Sequence, residues 1–228
     1  MVVQEEEESI SKEEYERALS RMKDGKAPGG DEVPIELIKK GGEMLNQRIL
    51  KLFNRCYREG RVPEDWGKAI IIPLYKGKGD SGECGNYRGI VLMDHMVKVY
   101  ERVLEGRLRE IVERRLGEEQ YGYRKNRSTT DLLFALRMTV EKGWEYDRTI
   151  HIAFIDLRKA FDSVPRSKLW QVLENEYGIS SGLRRAVESM YNICKCKVRT
   201  GYKNEEWFEV RTGVKKGWGD TERGSFGL

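Results

Sequence analysis

Apolar positions recur at helical spacing along most of the chain. Tyr15, Ala18, Leu19 and Met22 form one stripe, preceded by Ser11 and Glu14 at capping-box spacing. Ile10 and Tyr15 are placed as a hydrophobic staple, and Gly25 is positioned to close the helix. Pro34 to Lys40 reads as a short helix closed by Gly41 and Gly42. A longer one runs from about Glu43 to Glu59, with Ile49, Leu52, Phe53, Cys56 and Tyr57 on one face and Gly60 as its stop. Cys56 on that stripe is a small core residue. Val97 to Leu116 turns Val99, Tyr100, Val103, Leu104, Leu108, Ile111 and Val112 inward, behind an Arg- and Glu-rich outer face. Ser128 and Asp131 cap a helix reaching Lys142, whose core stripe is Leu132, Leu133, Leu136 and Val140. Ser163 as N-cap and Pro165 in the first turn open another, with Leu169, Val172, Leu173 and Tyr177 as its stripe and Gly178 as its end. Leu183 to Asn192 is a last helical segment.

Strand-like runs interrupt these helices. Trp66 to Tyr75 is one, followed by a polar Gly-rich loop and a second run ending near Leu92. Ile150 to Ile155 is short, nearly unbroken and rich in β-branched and aromatic residues, the pattern of a strand buried on both faces. It ends in Asp156, and Asp162 follows six residues on. A carboxylate there suits a cap for the next helix, or a metal corner in which a hard cation takes a few carboxylates plus substrate phosphates. Lys197 to Tyr202 and Trp207 to Thr212 read as a hairpin around Lys203–Glu206. Helices and strands thus mix without regular alternation, and the expected class is α+β.

With 228 residues, 39% hydrophobic and 35% charged, the chain holds one large domain or two small ones. Glu5–Glu8, Glu13, Glu14 and Glu16 crowd the N-terminus, so the net charge of +4 understates the basic remainder, which suits a polyanionic partner. The four cysteines form no framework, and two histidines make a zinc site a poor reading. No run spans a membrane and no signal peptide is evident, so a reducing, intracellular setting is expected, nucleus or cytoplasm being unresolved.

The stretch FIDLRKAFDSV, residues 154–164, resembles the first catalytic motif of reverse transcriptases in the form found in LINE-type non-LTR retrotransposons and group II introns. Further blocks follow the order of that family. Lys26-Ala27-Pro28-Gly29-Gly30-Asp31 is similar to its K-x-P-G-P-D-G block, with Gly30 in place of Pro and Glu32 in place of Gly. The segment WGKAIIIPLYKGKGDSGECGNYRGIVL resembles the finger-hairpin block, Gln120–Asp131 the Q-x-G-F-R-x-x-R-S-T-T-D block, and Gly213–Gly217 the G-V-x-Q-G block, with Lys216 replacing Gln. The match runs from about residue 11 to 217.

The resemblance implies the fingers and part of the palm of a right-hand polymerase. It implies template-directed DNA synthesis from an RNA template and a DNA primer, with deoxynucleoside triphosphates as substrates and magnesium as cofactor. Asp156 matches the metal-binding catalytic aspartate. Phe161 matches the residue that selects against the ribose 2′-hydroxyl, and Lys76 and Arg88 match the positions that hold the triphosphate. Arg124 and Arg127 are expected to point outward to a template backbone, while Asp162 is structural. The implied divisions are a disordered acidic stretch 1–9, a fingers-like region 10–148, a partial palm 149–217 and a divergent tail 218–228. The family's second catalytic motif carries an Asp-Asp pair, and none occurs in this sequence. Two-metal transfer needs carboxylates from both motifs to hold ions about 3.5–4 Å apart. The chain alone is therefore expected to be inactive, and the alternative reading is a truncated or domesticated fragment that binds nucleic acid without catalysis.

Overall fold

The computed structural model describes residues 9–157, 160–200 and 206–214. It is mixed helix and sheet, in agreement with the expected α+β class. Seven helices are described: α1 (Lys12–Ser20), α2 (Ile35–Lys40), α3 (Gly42–Glu59), α4 (His95–Val112), α5 (Thr129–Glu145), α6 (Arg166–Asn175) and α7 (Ser181–Asn192). The described strands are β1 (Lys68–Tyr75), β2 (Tyr87–Leu92), β3 (Lys195–Val198) and β4 (Phe208–Glu209). The acidic run before Ser9, the 203–205 turn and the tail with Lys216 lie outside the described residues.

The core is built by α1, α3, α4 and α7. The Ser11 hydroxyl accepts the Glu14 N–H at 3.1 Å, and the Glu14 carboxylate accepts the Ser11 N–H at 2.8 Å, which completes the expected capping box. That cap sets the register that buries Ile10, Tyr15, Ala18, Leu19 and Met22. The helix stops at Ser20, and Gly25, with φ +68°, turns the loop that follows. Phe53 of α3 is fully buried at the centre of an aromatic cluster. Its ring lies 5.8 Å from Tyr15, 5.9 Å from Trp66 and 5.0 Å from Tyr100. Edge-on rings at these separations add to the burial energy of each. Gly60 ends α3 in the left-handed conformation, where its N–H meets the Cys56 and Tyr57 carbonyls. Cys56 is buried as expected, and burial pushes its thiol up to about 11.

The sheet has the order β2-β1-β3-β4. β1 pairs antiparallel with β2, from Ile70↔Leu92 to Tyr75↔Tyr87, and parallel with β3, from Lys68↔Lys195 to Ile71↔Val198. Pro73 sits inside β1 without loss of a ladder bond. The Ile71 carbonyl accepts from Arg199 N–H on the β3 side, and Pro73, two residues on, faces the same way beyond the end of β3. β3 and β4 pair antiparallel at Lys195↔Glu209 and Cys196↔Phe208, so the expected antiparallel pairing is present in a different register, with its first strand at Lys195–Val198 instead of Lys197–Tyr202.

Two expectations fail in one region. Ile150–Ile155 is not a buried strand: residues 151–157 carry no regular structure, and Phe154 and Ile155 are each 86% exposed. A strand needs a ladder partner, and none of the described strands pairs with residues 150–155, although the order β2-β1-β3-β4 leaves β2 and β4 as the sheet's edges. The stripe assigned to α5 is uncovered as well, with Leu132 and Leu133 exposed and Leu136 and Val140 half-buried. Its capping box is nonetheless formed, with the Ser128 N–H donating to Asp131 at 2.8 Å. Local signals thus built the helix while no described element covers its apolar face. The boundaries shift elsewhere by a turn. α4 ends at Val112 rather than Leu116, and Pro165, not Ser163, takes the cap of α6, because Ser163 belongs to the 3-10 turn Phe161–Ser163.

Candidate functional site

The hairpin β1–β2 projects from the core, buried at Ala69 and Ile70 and exposed toward its tip. Its turn is tied internally. Lys76 N–H donates to the Asn86 carbonyl at 2.9 Å, the Asn86 amide to the Asp80 carbonyl at 2.8 Å, and the Tyr87 hydroxyl to the Ser81 carbonyl at 2.9 Å. Gly79 is required there: its φ is +87°, and a Cβ would lie 2.5 Å from the Asn86 amide. Leu74 pairs with Arg88, so Arg88 shares a face with Leu74 and with Lys76 two residues on. Residues so placed on a pleat are diagonal neighbours, with Cβ atoms about 7–8 Å apart. The Lys76 ammonium donates to the Gly85 carbonyl at 2.9 Å, a neutral partner that leaves its charge uncompensated. The Arg88 side chain is exposed and makes no hydrogen bond or ion pair with the described residues. A fork and a point charge on one face of a tied hairpin suit an anion with several oxygens.

The base of the hairpin is braced by the 26–31 loop, a contact that periodicity alone does not reveal. Asp31 N–H donates to Asp94 Oδ1 at 3.2 Å, and Asp31 Oδ1 accepts Val33 N–H at 3.0 Å. A Cβ on Gly29 would stand 2.2 Å from Asp94 Oδ1, so only glycine fits against this corner between β2 and α4. Burial pushes the Asp94 carboxyl above its usual range, against the pull of the Asp31 and Gly30 amides. Glu32, which stands where the resembled motif has Gly, adopts a left-handed φ of 57°.

Arg124 does not point outward as expected, and Arg127, at the surface, is held by a partner in its own loop. The Arg124 side chain is 9% exposed, pairs with Glu113 at 2.8 Å and donates to the Gly117 carbonyl at 2.6 Å. Arg127 pairs with Glu118 and stacks 5.3 Å above the Tyr121 ring. The sequence offers both acids within about a dozen residues, and both guanidinium groups close the 113–127 loop, Arg124 buried within it and Arg127 in a surface pair with the open Glu118.

Phe161 lies edge-on to Tyr123 at 5.9 Å, which links the first-motif turn to the Gln120–Asp131 block. The Gly213-Val214 corner is fastened to that turn: Gly213 N–H donates to the Val164 carbonyl at 3.0 Å and Val214 N–H to the Phe161 carbonyl at 2.8 Å. A Cβ on Gly213 would come within 2.8 Å of Asp162 Cα. Arg166, not singled out by motif, clamps the corner by donating to the Gly213 carbonyl at 2.9 Å while its guanidinium lies 5.0 Å over the Tyr191 ring. Four family positions therefore converge in two pairs, Lys76 with Arg88 on the hairpin and Phe161 with the Gly213 corner. Asp156 stands apart on the exposed 151–157 stretch, with no hydrogen bond or ion pair among the described residues.

Among the described residues, no three of His, Cys, Asp and Glu gather to hold a metal ion. Asp156 offers one carboxylate where a two-metal centre takes several, so the residues present do not fit that group.

Residues 76–218 match the family of the reverse transcriptase (RNA-dependent DNA polymerase). The chain is similar to a 115 kDa protein of the type-1 retrotransposable element R1DM of Drosophila melanogaster, 29% identical over 66% of this chain and 15% of that one. It is also similar to the retrovirus-related Pol polyprotein of the type-1 retrotransposable element R2 of Popillia japonica, 27% identical over 91% of this chain and 28% of that one. A third relative is the RNA-directed DNA polymerase of the mobile element jockey of Drosophila melanogaster, 25% identical over 68% of this chain and 17% of that one. The chain thus spans between 15% and 28% of the length of these relatives. With the motif blocks in order, the α+β fold and the match over residues 76–218, the chain belongs to the reverse transcriptase family, in its non-LTR retrotransposon branch.

Proposed function

We propose that this chain supplies the fingers and the first palm motif of an RNA-directed DNA polymerase of a non-LTR retrotransposon, working within a longer polypeptide. The observation that carries this reading is the hairpin face on which Lys76 and Arg88 stand together, inside the segment that matches the family. Its role is to hold the triphosphate of an incoming deoxynucleotide. Phe161, packed against Tyr123, is the residue that would exclude a 2′-hydroxyl, and Asp156 the carboxylate that would enter the metal centre. Polymerases of this family use divalent metal, and magnesium is the ion proposed. The carboxylates that complete its site are not among the described residues. An RNA template and a DNA primer are the proposed partners. No helix among the described residues is long and apolar enough to cross a membrane.

The test is primer extension on an RNA template with magnesium or manganese. The chain by itself is expected to give no product. Joined to the carboxylate-bearing remainder of a related polymerase, it is expected to extend the primer, to lose extension with Asp156→Ala, and to incorporate more ribonucleotide with Phe161→Val. An inactive chimera beside an active parent, or a chimera indifferent to Asp156→Ala, overturns the reading.

A further inference from the structure

The loop arginines expected to meet a nucleic-acid backbone are paired with Glu113 and Glu118 of their own loop, while a different element presents mostly unpaired charge to solvent. On α3, Ile49, Phe53, Cys56 and Tyr57 are buried, and Arg48, Lys51, Arg55 and Arg58 are exposed. At 100° per residue those four cations occupy an arc of about 80° opposite the buried face, over about 15 Å of helix. Arg61, exposed just past Gly60, extends the row. Arg55 pairs with Glu59 at 2.8 Å, and the other acid of the helix, Glu43, is taken by Lys12 at 3.0 Å. The side chains of Arg48, Lys51, Arg58 and Arg61 make no hydrogen bond or ion pair with the described residues. Solvated helix faces usually interleave opposite signs at i,i+4, because like charges at that spacing repel. Apart from the Arg55–Glu59 pair at that spacing, the cations of this face have no acid of the helix beside them. The helix beneath it is rigid, anchored by the aromatic cluster around Phe53.

We infer that the α3 stripe, Arg48, Lys51, Arg55 and Arg58, is a binding surface for the phosphodiester backbone of a single-stranded nucleic acid, separate from the hairpin face. The nature of the polyanion rests on the proposed polymerase function; the surface itself rests on charge complementarity. Along the stripe itself, positions 48, 51, 55 and 58, every side chain is a cation and none is aromatic or an amide, so contact is to phosphates and independent of sequence.

The experiment is fluorescence anisotropy with an end-labelled single-stranded RNA of mixed sequence, titrated with the purified chain at several salt concentrations. The variant replaces three unpaired cations together, Arg48→Gln, Lys51→Gln and Arg58→Gln. All three are exposed, and an unchanged thermal midpoint confirms folding. The expected result is a drop in affinity on the order of tenfold, with the slope of log K against log salt falling by about 2, near 0.7 for each phosphate no longer neutralised. Arg137→Gln, an exposed cation paired with Glu141 on α5, is expected to leave affinity unchanged. No binding by the unaltered chain at about 50 mM salt overturns the surface. Equal affinity and slope for the triple variant also overturn it, while the polymerase reading is judged separately by the extension assay.

Discussion

Two helical regions of this chain carry the same kind of amphipathic pattern and meet opposite fates. The stripe of α3 is buried against α1, α4 and α7, with Phe53 at 0% exposure. The stripe of α5 and the apolar run after it are open, with Leu133 at 64% and Phe154 at 86%. Both helices have sound local signals, a left-handed Gly60 for one and a capping box for the other. Periodicity states which side chains favour burial. It does not state whether an element is at hand to bury them, and here the described sheet forms without residues 150–157. The first region is therefore a folded body, and the second is an apolar face that no described element covers.

The comparison is broken most forcefully at its centres. Phe53→Ala removes a fully buried ring with three aromatic neighbours, and unfolding by urea should show a loss of about 3–5 kcal/mol. Phe154→Ala should change stability by less than about 0.5 kcal/mol, since its ring is already in water. Equal losses at the two positions would contradict the division.

A smaller effect comes from the ion pair that ties α1 to α4. Arg107 donates to Glu14 at 2.6 and 2.8 Å and lies 4.9 Å over the Tyr57 ring, with both side chains mostly buried. Arg107→Ala should cost about 2 kcal/mol, less than the loss from breaking a fully buried pair. Burial pushes the Glu14 carboxyl up, but the Arg107 guanidinium and the Ser11 amide together outweigh it and hold the carboxyl below its ordinary value of 4.5. A folded value below the unfolded one stabilises above 4.5 and is lost as pH falls through the folded value. Stability measured downward from neutral pH should therefore fall in that acidic window, and Glu14→Gln should flatten the fall.

Much of the helical body was legible because its signals are local. Ser11 and Glu14, the Phe53 and Tyr100 stripes, Gly60 and the hairpin strands all stand where spacing put them. The site was less so. Arg124 and Arg127 read as outward charges, yet Glu113 and Glu118 lie close enough in sequence to capture them, and choosing a protein partner over solvent depends on loop geometry. Arg166 and Asp94 act through contacts 47 and 63 residues away in sequence, which no local pattern encodes. Ile150–Ile155 carried a strand's composition without a strand's neighbour.

A gain in stability, smaller than the losses above at Phe53 and Arg107, sharpens the folded body. Glu32 holds a left-handed φ of 57° in the loop braced on Asp94, where a side chain with a Cβ is strained. Glu32→Gly should relieve that strain and, after the entropy glycine adds to the unfolded chain, raise stability by about 0.5–1 kcal/mol in thermal unfolding. A loss of stability would mean that the Glu32 side chain is itself part of the brace.

Hydrogen exchange of the intact chain, resolved to peptides, reads the division most directly. Peptides from Ile49–Tyr57 and Val97–Leu104 should be protected to the level of global unfolding, because their amides lie in buried helix. The peptide covering residues 151–157 should exchange at nearly the free rate, since no backbone hydrogen bond from those amides is described. Protection of residues 151–157 comparable to that of α4 would contradict the account: the Asp156 stretch would then be a paired, covered strand in solution.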